Sequence, residues 1–206
     1  MAELDGASRP ASARPASALP ASARPASARL PLDGHLVLVG LPGSGKSTVG
    51  RVVARVLGRP FLDFDLEIEK RAGRSVSRLF AQEGEPAFRA REVALTEELA
   101  SAPPMVLAPG GGWITNVGVV ALIRPPGRII HLLISPDAAL KRLTRSRVSR
   151  PLLRTADPEA AMNRLWETRA GLYAQADLVI DVEVVDSQQV VEQIAALARD
   201  LTAGLG

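Results

Sequence analysis

From His35 onward, short apolar runs alternate with longer amphipathic stretches. The runs at 36–39, 60–64, 105–108, 129–134 and 178–180 are short and mostly apolar, which predicts five short strands. Helical spacing of apolar positions predicts helices over 47–57, over 66–100 with breaks near Gly73 and Gly84, and over 137–143, 158–174 and 187–201. Strands this apolar have no polar face to turn toward water. Alternating with helices, they predict an α/β fold: a doubly wound, five-stranded parallel sheet with helices on both faces.

The first 34 residues do not share this pattern. Residues 10–29 read as four pentamers, PASAR, PASAL, PASAR and PASAR, without an aromatic or β-branched residue. Such a segment buries too little to offset its ordering entropy, so 1–34 is expected to be a disordered tail with polyproline-II character, and 35–206 one folded domain. Its acid-poor Arg, Ser and Ala content mimics an organellar transit peptide, but Glu3, Asp5 and the regular prolines argue against an amphipathic helix. The tail's four arginines, with no interleaved aromatic, give little reason to expect nucleic-acid binding.

Composition narrows the chemistry. At 206 residues with 47% hydrophobic and 23% charged content, the chain can bury a core. The absence of Cys excludes disulfides, thiol catalysis and Cys-ligated metals, and two His argue against an all-imidazole metal site. No apolar run approaches a membrane span, and MAELDGASRP lacks the apolar centre of a signal peptide, so a cytoplasmic chain without membrane contact is expected. Only Lys46, Lys70 and Lys141 of the 25 basic residues are lysine. Arginine bias of this kind reflects either genome composition or bidentate grips on anions, and position must separate the two.

One segment carries an unambiguous chemical signature. Gly40-Leu41-Pro42-Gly43-Ser44-Gly45-Lys46-Ser47 satisfies G-x-x-x-x-G-K-S/T between a predicted strand and a predicted helix. Gly43 and Gly45 let backbone N–H groups turn toward phosphate oxygens, with Ser44 and Thr48 in the same cradle, while the helix start adds its positive end. Lys46 suits the β- and γ-phosphates, and the Ser47 hydroxyl suits Mg2+.

Other candidates are individually weaker. Asp63 and Asp65 lie two apart at the end of the second strand, on one face if the strand continues, where one could serve Mg2+ and the other a substrate hydroxyl; equally, Asp65 could cap the following helix. Arg89 has Glu85 and Glu92 at helical spacing, whose default is a solvated face. Pro109-Gly110-Gly111-Gly112 either makes a turn or lets backbone touch a ligand. Arg169 alone could simply cover a helix surface. Arg142, Arg145, Arg147, Arg150 and Arg154 form an acid-free segment expected to be a mobile loop.

Taken together, GLPGSGKSTVG (40–50), FLDFDLEIE (61–69), GEPAFRAREVAL (84–95), PGGGWITN (109–116), RPLL (150–153) and RAGLYAQADLVID (169–181) resemble the shikimate kinase family over about 35–203. The resemblance implies a P-loop NTPase of the nucleoside-monophosphate-kinase type, using ATP and Mg2+ to phosphorylate the 3-hydroxyl of shikimate, and acting as a monomer. By position it implies that Asp65 grips ring hydroxyls and acts as base, that Arg89 and Arg169 clamp the carboxylate, and that Gly111 and Gly112 contact substrate through their backbone. It implies that Asp63 steadies the Mg2+ shell, that Arg150 closes a lid at about 142–156 over the phosphates, and that Arg142 stacks on adenine. The lid is slightly longer than the family pattern, the 183–187 loop lacks a basic residue, and Trp113 is bulkier than expected and predicted to enter the core. The alternatives to this function are a related kinase for another small hydroxy acid such as gluconate, and a nucleotide-binding regulator without catalysis.

Overall fold

The computed structural model describes residues 34–145 and 155–200, with side chains to 198. Residues 1–33 of the predicted tail, and residues 146–154 of the predicted 142–156 lid with Arg150 among them, lie outside the described residues; Gly34 is buried.

Five parallel strands form one sheet in the order β2-β3-β1-β4-β5: β1 (Leu36–Val39), β2 (Phe61–Asp63), β3 (Val106–Ala108), β4 (Arg128–Leu133) and β5 (Leu178–Asp181). Every residue of the central strand β1 is buried, as a strand covered on both faces requires. Its register places Val37 opposite Leu107 on one side and Ile129 on the other. The helices are α1 (Lys46–Leu57), α2 (Phe64–Ala72), α3 (Val76–Ala100), α4 (Val119–Ile123), α5 (Pro136–Thr144), α6 (Pro158–Tyr173) and α7 (Ser187–Asp200). No helix among the described residues is long and apolar enough to cross a membrane.

Local chemistry sets the helix starts. Asp63, Ser75, Ser135 and Asp157 each accept a backbone N–H from three residues onward, and Pro136 and Pro158 occupy first-turn positions whose missing N–H costs no bond. Two expectations are corrected here. The second strand ends at Asp63 because that side chain caps α2 through Leu66 N, so Asp63 and Asp65 do not share a strand face. For the same reason the helix cap is Asp63, and Asp65 sits in the first turn of α2. The five-residue α4 lacks a sequence signal, since it spans little more than one helical turn. Trp113 does enter the core: it is 1% exposed, lies edge-on to Phe64, and donates its indole N–H to Thr96 Oγ1 at 2.8 Å.

Candidate active site

The carboxyl ends of β1, β2 and β3 carry the candidate chemistry, as expected for an open parallel sheet. The loop after β1 turns into α1 with Gly43 at φ 89° and Gly45 at φ 97°, a left-handed backbone that favours glycine and turns N–H groups inward. Lys46 Nζ donates to the carbonyls of Gly40 (2.9 Å) and Leu41 (3.1 Å), which holds its charge over the loop. Ser44 is buried with its hydroxyl unpartnered among the described residues.

The predicted metal pair meets across two elements. Ser47 Oγ donates to Asp63 Oδ2 at 2.5 Å, joining the start of α1 to the end of β2. Both offer oxygen, the donor type that suits Mg2+. Among the described residues no group of three or more His, Cys, Asp or Glu forms a metal cage. Two protein oxygens fit an ion that takes its remaining ligands from water and phosphate oxygens.

The loop after β3 is a turn and also a site of close approach. Trp113 N bonds Gly110 O, and Thr115 N bonds Gly112 O, each at 3.0 Å. A Cβ on Gly112 would lie 2.2 Å from Arg89 Nη2, so only glycine lets that guanidinium sit against the turn. A Cβ on Gly110 would lie 2.9 Å from Glu92 Oε1 and 3.0 Å from Asp65 Oδ1, and one on Gly111 would lie 3.3 Å from Arg169 Nη1. Asp65, Arg89 and Arg169, spread over α2, α3 and α6, thus converge on one glycine turn.

The two arginines are held differently. Arg89 is not on a solvated face, its side chain being only 15% exposed: Nη1 donates to Glu92 Oε2, and Nη2 to Glu85 Oε1, both at 2.6 Å. Arg169 is buried, and its Nε and Nη1 have no hydrogen-bond partner among the described residues. A buried guanidinium with unused donors is costly unless an anion completes it. Arg142, at the end of α5, donates Nη2 to the Val182 carbonyl at 2.7 Å, which sets it beside the connection from β5 to α7.

Sequence reasoning gave no site role to three residues. Glu92 is fully buried; burial pushes its carboxyl up against the pull of the Arg89 guanidinium and of the Asn116 amide, which donates to Oε2 at 3.1 Å. Helical spacing to Arg89 was its only signal, and spacing does not reveal burial. Tyr173, one turn beyond Arg169, donates its hydroxyl to Gly111 O at 3.0 Å. His131 in β4 stacks on the Tyr173 ring at 4.5 Å, and burial together with the Lys46 charge holds its pKa down to about 4. An apolar groove of about 420 Å³ between α1 and α7 shares only Thr48 with the residues predicted to form the site, and lacks convergent charged groups. Asp65, Arg89 and Arg169 instead gather at the glycine-lined crevice.

The family model for shikimate kinase matches residues 42–199. The chain belongs to the shikimate kinase family. It is 44% identical to the shikimate kinase of Pseudomonas entomophila (strain L48) over 168 residues, covering 81% of this chain and 97% of that protein. Identity to the shikimate kinase of Cereibacter sphaeroides is 39%, over 82% of each chain. Among solved structures, shikimate kinase from Acinetobacter baumannii in complex with shikimate is similar at TM-score 0.76 and 36% identity, covering 84% of this chain and 96% of that one. A gluconokinase from Sinorhizobium meliloti, at TM-score 0.56 and 21% identity over 85% of this chain and 99% of that one, shares the fold alone. Family membership makes this chain a P-loop kinase with ATP as phosphoryl donor.

Proposed function

We propose that the chain transfers the γ-phosphoryl group of ATP to the 3-hydroxyl of shikimate through the residues gathered at the glycine turn, giving shikimate 3-phosphate and ADP. The observation that carries the residue assignment is Arg169, buried with two donors unspent across the turn from Arg89 and Asp65. A compact hydroxy acid offers one carboxylate to complete such a clamp, and guanidinium forks bind it with fixed geometry.

In this mechanism the 40–48 loop cradles the nucleotide phosphates, Gly43, Ser44, Gly45 and Thr48 through the backbone and Lys46 through its charge. Ser47 and Asp63 would hold Mg2+, which when bound offsets charge on the β- and γ-phosphate oxygens. Arg89 and Arg169 fix the carboxylate, and the Gly111 and Gly112 backbone lines the ring. The 3-hydroxyl oxygen then points at the γ-phosphorus while its O–H donates a hydrogen bond to the Asp65 carboxylate. As the new O–P bond forms and the bond to the ADP oxygen breaks, Asp65 takes the proton. Arg150 would close over the phosphates and exclude water, and Arg142 would stack on adenine. A cytoplasmic monomer belongs to the same proposal.

The test is ADP release with MgATP and a panel of shikimate, quinate, gluconate and nucleoside monophosphates. Shikimate should be the preferred acceptor. Asp65→Asn should lower kcat about 10²–10⁴-fold, the range for loss of a general base, and Arg89→Ala should raise the shikimate KM. Preference for another acceptor would remove the substrate assignment; wild-type kcat in Asp65→Asn would remove the base.

A further inference from the structure

We propose that the Tyr173 hydroxyl is a positioning group of the carboxylate clamp, fixing the Gly111 peptide and the Arg169 guanidinium relative to each other. The inference rests on the clamp described under the proposed function and goes beyond it to the group that sets its geometry.

Tyr173 and Arg169 lie four apart on α6, so their side chains share one face of the helix. A phenol hydroxyl has one proton to donate and lone pairs to accept. Here the proton goes to Gly111 O at 3.0 Å, and the Arg169 guanidinium lies against the same residue, its Nη1 3.3 Å from where a Gly111 Cβ would stand. The hydroxyl thus ties the end of α6, one turn beyond Arg169, to the turn after β3. That turn also touches the second clamp residue, because Gly112 has no room for a Cβ beside Arg89. A displaced Gly111 peptide would therefore disturb both arms of the clamp.

The rest of the residue is held still. Tyr173 is 1% exposed, and its ring stacks on His131 of β4 at an interplanar angle of 19°. Burial pushes the phenol up to about 12, so the hydroxyl keeps its proton and its role as donor at any pH where the enzyme works. The anchoring ring and the hydroxyl can be separated chemically, since phenylalanine keeps the first and removes the second.

Tyr173→Phe, Arg169→Ala and the double variant are compared with the wild type in steady-state kinetics against shikimate and against ATP, together with thermal melting. Tyr173→Phe should raise the shikimate KM about tenfold with kcat within about threefold, the signature of lost uniform binding. The ATP KM should not change. In the double variant, Tyr173→Phe should add almost nothing to the effect of Arg169→Ala, as coupled residues do. Additive effects, or equal changes in both KM values alongside a lowered Tm, would mean a hydroxyl that only satisfies a buried carbonyl and would overturn the proposal. A raised shikimate KM in Arg169→Ala with none in Tyr173→Phe overturns this inference alone. Wild-type shikimate KM in Arg169→Ala overturns the clamp and the inference with it.

Discussion

At the scale of single residues, the site depends on side chains that are absent. Gly112 has an ordinary backbone, and what forbids a larger residue is the Arg89 guanidinium, 2.2 Å from where a Cβ would stand. Gly112→Ala should push that guanidinium off its place against Glu92, and a displacement near 1 Å in a positioning group can cost on the order of a hundredfold. We expect kcat/KM for the acid acceptor to fall by about 10- to 100-fold with the ATP KM unchanged, measured by the same ADP-release assay; an unaltered kcat/KM would mean that Arg89 tolerates the shift. This contact was invisible in the sequence, where Gly110–Gly112 read more readily as a turn than as a ligand contact. It is a turn whose smallness serves arginine and carboxylate side chains. Glu92 was hidden for a related reason: Glu85, Arg89 and Glu92 show helical spacing, but spacing cannot say which face is buried.

At the scale of elements, α3 is two helices joined at Gly84, whose φ of 81° and ψ of 171° belong to a region open essentially to glycine. The break aims the second half, with Arg89 and Glu92, at the glycine turn. Pro86 keeps it from healing, since a proline inside a continuous helix would clash with the carbonyl of Gln82. Gly84→Ala should therefore lose about 1–3 kcal/mol in urea denaturation, and an unchanged midpoint would show that the backbone there can relax. The break itself was legible, as were the five strands and the phosphate loop, because each is written in contiguous residues: an apolar run, or glycines at fixed offsets. The end of β2 was not. Asp63 stops that strand by capping α2, and a sequence with two aspartates two apart does not say which one caps.

At the scale of the whole molecule, the two histidines make the fold sensitive to acid. His35 bridges α3 and the residue that precedes β3: its Nε2 donates to Leu99 O at 2.8 Å and its Nδ1 accepts from Met105 N at 3.1 Å, an arrangement that requires the neutral ring. Burial, chiefly, lowers its pKa. His131 is held down to about 4 by burial and the Lys46 charge. A native pKa below the unfolded value of about 6.5 means that the unfolded chain binds more protons between the two. The stability in question is thus fully present above pH 6.5 and is lost as pH falls from there toward the native values. For His131 alone the loss between pH 7 and pH 5 is about 2 kcal/mol. Glu92 works the other way, because burial raises its pKa and protonation relieves a buried charge, while the lowered Glu83, Glu98 and Glu183 lose their contribution only below the ordinary carboxylate range. His131→Phe isolates the histidine effect: it keeps the stack on Tyr173, removes one titrating group and gives up no bond at Nε2, which has no partner among the described residues. Urea denaturation of both proteins at pH 7.5 and pH 5 should show the wild type losing about 2 kcal/mol more than the variant. Equal losses would mean that the His131 ring takes up its proton in the native state as readily as in the unfolded chain, and the stack on Tyr173 would then have to accommodate a charged ring beside Lys46.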